Sequence, residues 1–240
     1  MLEIDDVSQC FGAVRALDHV SFVLRPGEVV GFVGRNGAGK TTAMRVILGL
    51  VEPDAGAVRW DGVPLDRAFR RRVGYLPEER GLYPKMGVTD QVRLLGRLSG
   101  LPEPEARRDA QRWVERVGLA DRADDPLGEL SLGNQQRVQV AAAMVAGRRL
   151  AVLDEPFSGL DPIGVELLAE LLHEHAAAGA AVLFSSHQLD LVERLCRRVV
   201  IIERGRIIGD GEMTTGLREH VLALAAAPAG DVSAIDGVAP

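Results

Sequence analysis

The chain has 240 residues, 47% of them hydrophobic and 26% charged, long enough to bury a sizeable core as one domain or one domain with a subdomain. A formal net charge of −6 and a pI near 5.5 argue against a dedicated nucleic-acid binder, so no nucleic acid is expected as a partner. No apolar run approaches the roughly 18 residues that a membrane span needs, so the polypeptide is expected not to cross a bilayer by itself. In chain order, β-like runs occupy Val7–Cys10, Val20–Leu24 and Val29–Val33, the last running straight into glycines. A helix is expected over Thr41–Leu50, then strands at Val58–Trp60 and Val73–Tyr75. From Thr89 to about Val117 the pattern is helical, interrupted by "GLPEPE" at Gly100–Glu105, and it stays irregular to Leu130. Helix and strand then alternate over Gln135–Ala146, Ala151–Asp154, Gly164–Ala177, Ala181–Ser185, Gln188–Cys196, Val199–Glu203 and Arg206–Asp210. Alternating βα units imply a sheet with a parallel core and helices on its faces.

Several single residues qualify this outline. Asp161 is a natural N-cap and Pro162 suits the first helical position, whose N–H has no partner in any case. The arginine pairs and triples at Arg70–Arg72, Arg107–Arg108, Arg148–Arg149 and Arg197–Arg198 read as solvated faces. Cys10 and Cys196 are the only cysteines and, with no secretory leader evident, are expected to be separate reduced thiols. Of 28 basic side chains only Lys40 and Lys85 are lysines. The stretch after Gly216 is either an Ala-rich tail or the stub of a further small domain.

The chemistry concentrates in three motifs. "GRNGAGKTT", Gly34 to Thr42, has the G-x-x-x-x-G-K-[ST] spacing, preceded by "VVGFV" and followed by a helix. Its backbone N–H groups, from Gly34, Arg35, Asn36, Gly37, Ala38 and Gly39, can form a nest for phosphate oxygens. Lys40 is a point charge for the β- and γ-phosphates, and the hydroxyls beginning at Thr41 and Thr42 put a Mg²⁺ ligand, Thr41, beside it. "LAVLDEP", Leu150 to Pro156, ends a buried strand in Asp154, a Mg²⁺ ligand, and Glu155, placed to polarise an attacking water. The third motif is "LSLGNQ". Ser131 can cap the following helix, yet Gly133 then lies in its first turn, where glycine costs roughly 1 kcal/mol relative to alanine. A glycine there makes sense where an anion must come close to a helix N-terminus, which raises the question of whose phosphate it faces.

Read together with "LAVLDEPFSGLDP", these motifs make the chain resemble an ATP-binding cassette (ABC) nucleotide-binding domain over residues 1 to about 215. The resemblance implies an α/β P-loop NTPase core with a mixed, largely parallel sheet, an N-terminal antiparallel β subdomain, and an inserted α-helical subdomain at about residues 80–130. It implies that Phe11 stacks on adenine, with a core phenylalanine as the alternative, and that His187 in "FSSHQLD" contacts the γ-phosphate. His19, His173, His175 and His220 lack such context and are expected at the surface. In the family two cassettes stack head to tail, which would give Ser131 and Gly133 the γ-phosphate of the other copy's ATP and place Asp161 between the two sites. Where the family usually has glutamine as a Mg²⁺ ligand, this chain has Glu78; a displaced surface acid is the alternative. Leu132 and Asn134 are further departures, and an active site with altered turnover is expected. "YLPEERGLYPKM", "LSLGNQQR" and "DEPFSGLDP" are together similar to a bacterial branch of ABC-2-type exporter ATPases, near sodium-extrusion and drug-export subunits.

The resemblance therefore implies an ATPase subunit using ATP and Mg²⁺, cytoplasmic and held on the inner face of the membrane by a separate permease, with Tyr83, Met86 and the Leu82–Val88 segment as contacts or as a local core. The alternatives are a soluble ABC ATPase not coupled to transport, and a weakly hydrolysing regulatory module.

Overall fold

The computed structural model describes residues 1–79 and 81–212; the stretch after Gly216 and His220 lie outside the described residues. The elements begin with β1 (Leu2–Phe11), β2 (Val14–Leu24), β3 (Val29–Val33), α1 (Lys40–Ile47), β4 (Ala55–Trp60) and β5 (Val63–Pro64). There follow α2 (Arg67–Arg70), β6 (Val73–Leu76), α3 (Val88–Leu98), α4 (Glu103–Arg116), α5 (Leu132–Met144) and β7 (Leu150–Leu153). The chain continues through α6 (Pro162–Ala177), β8 (Ala181–Ser186), α7 (Leu189–Leu195), β9 (Arg198–Glu203) and β10 (Arg206–Glu212). It divides into two compact units: Met1–Leu65 with the residues from Leu183 onward, and Asp66–Val182. Strand β8 begins in the second unit and ends in the first.

The first unit holds an antiparallel sheet of order β2-β1-β4-β5 and the strand order β10-β9-β3-β8. Strands β1 and β2 run much longer than their apolar alternation predicts because both are bulged. In β1 the buried positions are Leu2 and Ile4, then Val7 and Gln9, so the period of two slips by one at Asp5-Asp6. Opposite, β2 buries Leu17 and then Val20, Phe22 and Leu24, slipping at His19. Asp6 and His19 take positive φ values of 53° and 56°, and the His19 Nδ1–Asp6 Oδ1 contact is 2.7 Å. Each bulge is closed by a serine: Asp6 N–H donates to Ser21 Oγ at 2.9 Å, and His19 N–H to Ser8 Oγ at 3.0 Å. By contrast β3, buried at four of its five positions, reads as an unbroken apolar run because its interior positions are covered. It pairs in parallel with β9, Val33 opposite Ile201, and β10 closes that edge antiparallel.

The second unit combines the strand order β8-β7-β6 with the helices α3 to α6. Strands β6 and β7 are parallel, Val73 opposite Leu150 and Leu76 opposite Leu153. The helical insertion is built where expected: Pro102 ends the break and precedes α4, whose first turn carries Glu103 and Glu105, favourable at the positive end of a helix. Val88, Val92, Ala106, Ala110, Trp113 and Val114 bury the α3–α4 interface. Helix α5 is buried continuously from Val138 to Met144, so it shows no single apolar stripe.

Candidate nucleotide site

In the first unit the phosphate loop leaves the end of β3. A Cβ at Gly34 would lie 2.3 Å from the Ile202 carbonyl oxygen, so the loop can hug β9 only without a side chain there. Gly39 caps α1 with φ 111° and would set a Cβ 2.7 Å from the Ala16 carbonyl oxygen; a left-handed residue with no room is a position for glycine alone. Ala38 is buried and its carbonyl accepts from Gly205 N–H at 2.8 Å, while Arg35, Asn36 and Gly37 are exposed. The Lys40 ammonium, 7% exposed, is folded into the loop, donating to the carbonyls of Gly34 at 2.6 Å and Arg35 at 3.2 Å. A cation held over a ring of exposed N–H-bearing residues at the start of α1 is the arrangement that accepts phosphate oxygens. Thr41 and Thr42 follow in the first turn, half-buried. In the same unit Phe11 ends β1 with 52% exposure, as an aromatic available for stacking, and the exposed His187 follows the last residue of β8, Ser186.

In the second unit the register of β6 and β7 brings two acidic positions to one sheet edge. Asp154 follows β7 directly, is 1% exposed, and its N–H donates to the Leu76 carbonyl at 2.8 Å. Glu78 stands two residues past β6 at the same carboxyl end and is exposed. Glu155 takes φ 51°, a left-handed conformation uncommon for a residue with a side chain and one that concentrates at functional positions. Hydroxyl and carboxylate oxygens are the donors a hard cation such as Mg²⁺ takes, so Thr41, Glu78 and Asp154 have the right chemistry for it.

The LSLGN helix begins three residues before the expected Gln135, at Leu132, so Gly133 does lie in its first turn. Ser131 is its N-cap, exposed, accepting from Asn134 N–H at 3.3 Å. Gly133 has a reason inside the chain as well: a Cβ there would be 3.0 Å from the Gly159 carbonyl oxygen. Asp161 caps α6, accepting from Gly164 N–H at 2.7 Å, and receives Arg137 at 3.2 Å. One functional residue escaped the sequence reading. Gln136, 4% exposed, donates from Nε2 to the carbonyls of Pro156 at 2.9 Å and Glu155 at 3.4 Å. Thus α5 touches the loop after β7 at Glu155, Gly159 and Asp161. The only signal in sequence was a glutamine one turn into a helix whose buried positions, Gln139 apart, are otherwise apolar.

Two expectations need correcting. His175 is not a surface residue: it is half-buried, because it follows the buried Leu171 and Leu172 by four and three residues on α6, and burial holds its pKa below the usual value. Nor are all the arginine pairs solvated, since Arg148 is 6% exposed and burial lowers its guanidinium to about 10. Arg198 is drawn inward too, by Asp210 at 2.8 Å and Glu28 at 3.1 Å. The cysteines are both free, Cys10 exposed and Cys196 buried.

Residues 17–158 match the family model described as ABC transporter. The chain is 43% identical over 213 residues to the uncharacterised ABC transporter ATP-binding protein YhaQ of Bacillus subtilis, covering 89% of this chain and 72% of that protein. It is 37% identical to the Nod factor export ATP-binding protein I of Paraburkholderia xenovorans, covering 88% of this chain and 70% of that protein. A solved ATP-binding subunit of an ABC transporter superposes with a TM-score of 0.82 at 33% identity, covering 97% and 98% of the two chains. On the family model and these identities, the chain belongs to the ABC transporter ATP-binding proteins and is an ATPase of that family.

Proposed function

We propose that this chain is the ATP-hydrolysing subunit of an ABC exporter, working as a head-to-tail pair on the inner face of the membrane beneath a separate permease. In this reading Phe11 stacks on adenine, and the N–H groups from Gly34 to Gly39 cradle the phosphates with Lys40. Thr41, Asp154 and Glu78 would hold Mg²⁺, which would supply positive charge to offset that of the phosphates. Glu155 takes a proton from the attacking water, and His187 steadies the γ-phosphate. Ser131 and Gly133 of one copy close on the γ-phosphate held by the other, with Asp161 at the seam. Closure on ATP and reopening after hydrolysis is then the two-state motion passed to the permease.

The observation that carries this reading is at the start of α5. Ser131 and Leu132 are exposed at a helix N-terminus, so the end that favours an anion faces outward. The same helix grips the Glu155 backbone through Gln136, so a ligand docking at its tip bears on the general base. Export as the direction is supported by the export relative at 37% identity. Contact with a permease is supported by a cleft of about 280 Å³ lined by Leu82, Pro84, Leu127 and Gln139, beside Tyr83 at 60% exposure. Met86 serves the local structure instead, its carbonyl accepting from Leu127 N–H at 3.0 Å.

Glu155→Gln tests the proposal. It should leave ATP binding intact, reduce phosphate release by about two orders of magnitude or more, and run as a dimer in ATP-Mg²⁺ on size exclusion. A monomer under those conditions overturns the paired mechanism.

A further inference from the structure

The stretch from Arg67 to Arg72 reads RAFRRR: arginines at Arg67, Arg70, Arg71 and Arg72 and no acid, in a chain whose net charge is −6. All four arginines are exposed, and among the described residues no carboxylate pairs with any of them. The neighbouring acid, Asp66, is occupied by the backbone: its Oδ1 accepts from Phe69 N–H at 2.6 Å and caps α2.

Local geometry holds these charges together. Arg67, Arg70 and Arg71 stand three and four positions apart on one helical turn, so they share a face on which like charges repel. At the start of β6 and β7, Arg149 N–H donates to the Arg72 carbonyl at 3.0 Å, which sets a further exposed arginine beside Arg72. The backbone beneath is tied down and cannot drift to relieve the repulsion. The buried Arg148 guanidinium donates to the Arg71 carbonyl at 2.6 Å, and Val73, the next residue after Arg72, is buried. A fixed set of mutually repelling, accessible cations is lowered in energy when an anionic surface comes against it.

We propose that Arg67, Arg70, Arg71 and Arg72 form a docking surface for a membrane leaflet carrying anionic phospholipid headgroups. The choice of a lipid surface rests on the reading of the chain as a transporter subunit at the inner face of a membrane. Arginine suits such a surface, because its planar fork of N–H donors matches phosphate oxygens and keeps its charge at any working pH. Lipids diffuse within the leaflet and gather beneath a fixed cluster, each basic residue strengthening partition about fivefold. A nucleic acid needs a longer basic track, and the net charge of −6 disfavours it.

Vesicle co-sedimentation of the full chain tests the surface. In low salt without magnesium, the chain should partition onto vesicles of equal parts phosphatidylglycerol and phosphatidylcholine, and not onto phosphatidylcholine alone. Potassium chloride at about 0.5 M should release it. The paired substitutions Arg70→Gln with Arg71→Gln should weaken partition about twentyfold or more, and Arg67→Gln with Arg72→Gln should do the same. Both variants should keep the parent's ATP turnover in solution, which shows that they are folded. Arg107→Gln with Arg108→Gln removes the same charge from α4 and should change partition less than about twofold. Equal partition onto both kinds of vesicle, no loss in either cluster variant, or an equal loss in the α4 variant overturns the proposal. Duplex DNA or polyglutamate bound more tightly than the anionic vesicles overturns the choice of a lipid surface. No permease is present in this assay, so its failure strikes the arginine surface alone, whereas a monomeric Glu155→Gln strikes the paired ATPase alone.

Discussion

At the level of single residues, the side chains proposed to carry chemistry stand out in the sequence and those that would hold them do not. Lys40, Thr41, Asp154 and Glu155 stand out because their types follow apolar strands at fixed spacings. Gln136 stands out only when the backbone turns beneath it, and no spacing rule marks a glutamine that pins carbonyls twenty residues away. Its role is positioning: it holds the loop in which Glu155 takes φ 51°. Gln136→Leu, similar in volume, leaves two carbonyls short of a donor at a cost of about 1–3 kcal/mol in stability. Steady-state ATP turnover should fall through kcat with KM little changed, whereas a purely structural glutamine would leave kcat per folded molecule alone. Arg148 and His175 were missed for a similar reason, since what buries them is contributed by residues distant in the sequence.

Cys196 offers a pH prediction. Burial raises its thiol from 9.0 to about 12. A raised pKa favours the protonated form in the folded chain, so its stabilisation is complete below the unfolded value and is lost as pH climbs from about 9 toward 12. Denaturant midpoints of the natural chain should therefore fall across that range more steeply than those of Cys196→Ala. Thiol titration of the native chain should label Cys10 rapidly and Cys196 only on unfolding.

Among the elements, strands and helices with one buried face were read correctly in type, and the misses have physical causes. The paired bulges at Asp6 and His19 hide half of β1 and β2 by reversing which residues point inward. Strand β5 is two residues and α2 four, too short for any period to declare itself. Helix α5 starts before its expected bound because Leu132, exposed at 60%, and Gly133 look nothing like a helix start, while Ser131 does cap it. Helix α6 began where Asp161 and Pro162 indicated, and this provides a way to separate structure from mechanism. Asp161→Asn keeps a capping oxygen for Gly164 N–H and loses the charge facing Arg137; Asp161→Ala loses both. The alanine variant should unfold about 1 kcal/mol more easily, and the asparagine variant close to the parent. If Asp161 also serves at a seam between copies, ATP turnover should fall in both; equal turnover in parent and asparagine variant leaves it a cap alone.

For the whole molecule, the decisive question is whether the catalytic parts belong to one chain or two. Gly133 is the residue on which this turns, because its closeness to the Gly159 carbonyl gives it a use within the chain that requires no second copy. Ser131 has no such sufficient use: as a cap it is worth about 1 kcal/mol, and many residues could supply that. Mixing variants resolves the matter. Lys40→Ala removes the phosphate-binding cation, and Ser131→Arg places a bulky charge at the tip of α5; each alone should be inactive. If sites are completed across copies, a mixed pair has one site with both residues intact and one with neither. Half of the pairs in an equal mixture are mixed, so turnover should recover to about one quarter of the parent's, as a two-fold symmetric assembly requires. If Lys40 and Ser131 serve the same chain's nucleotide, every site in the mixture carries a defect and phosphate release stays at the background of the separate variants.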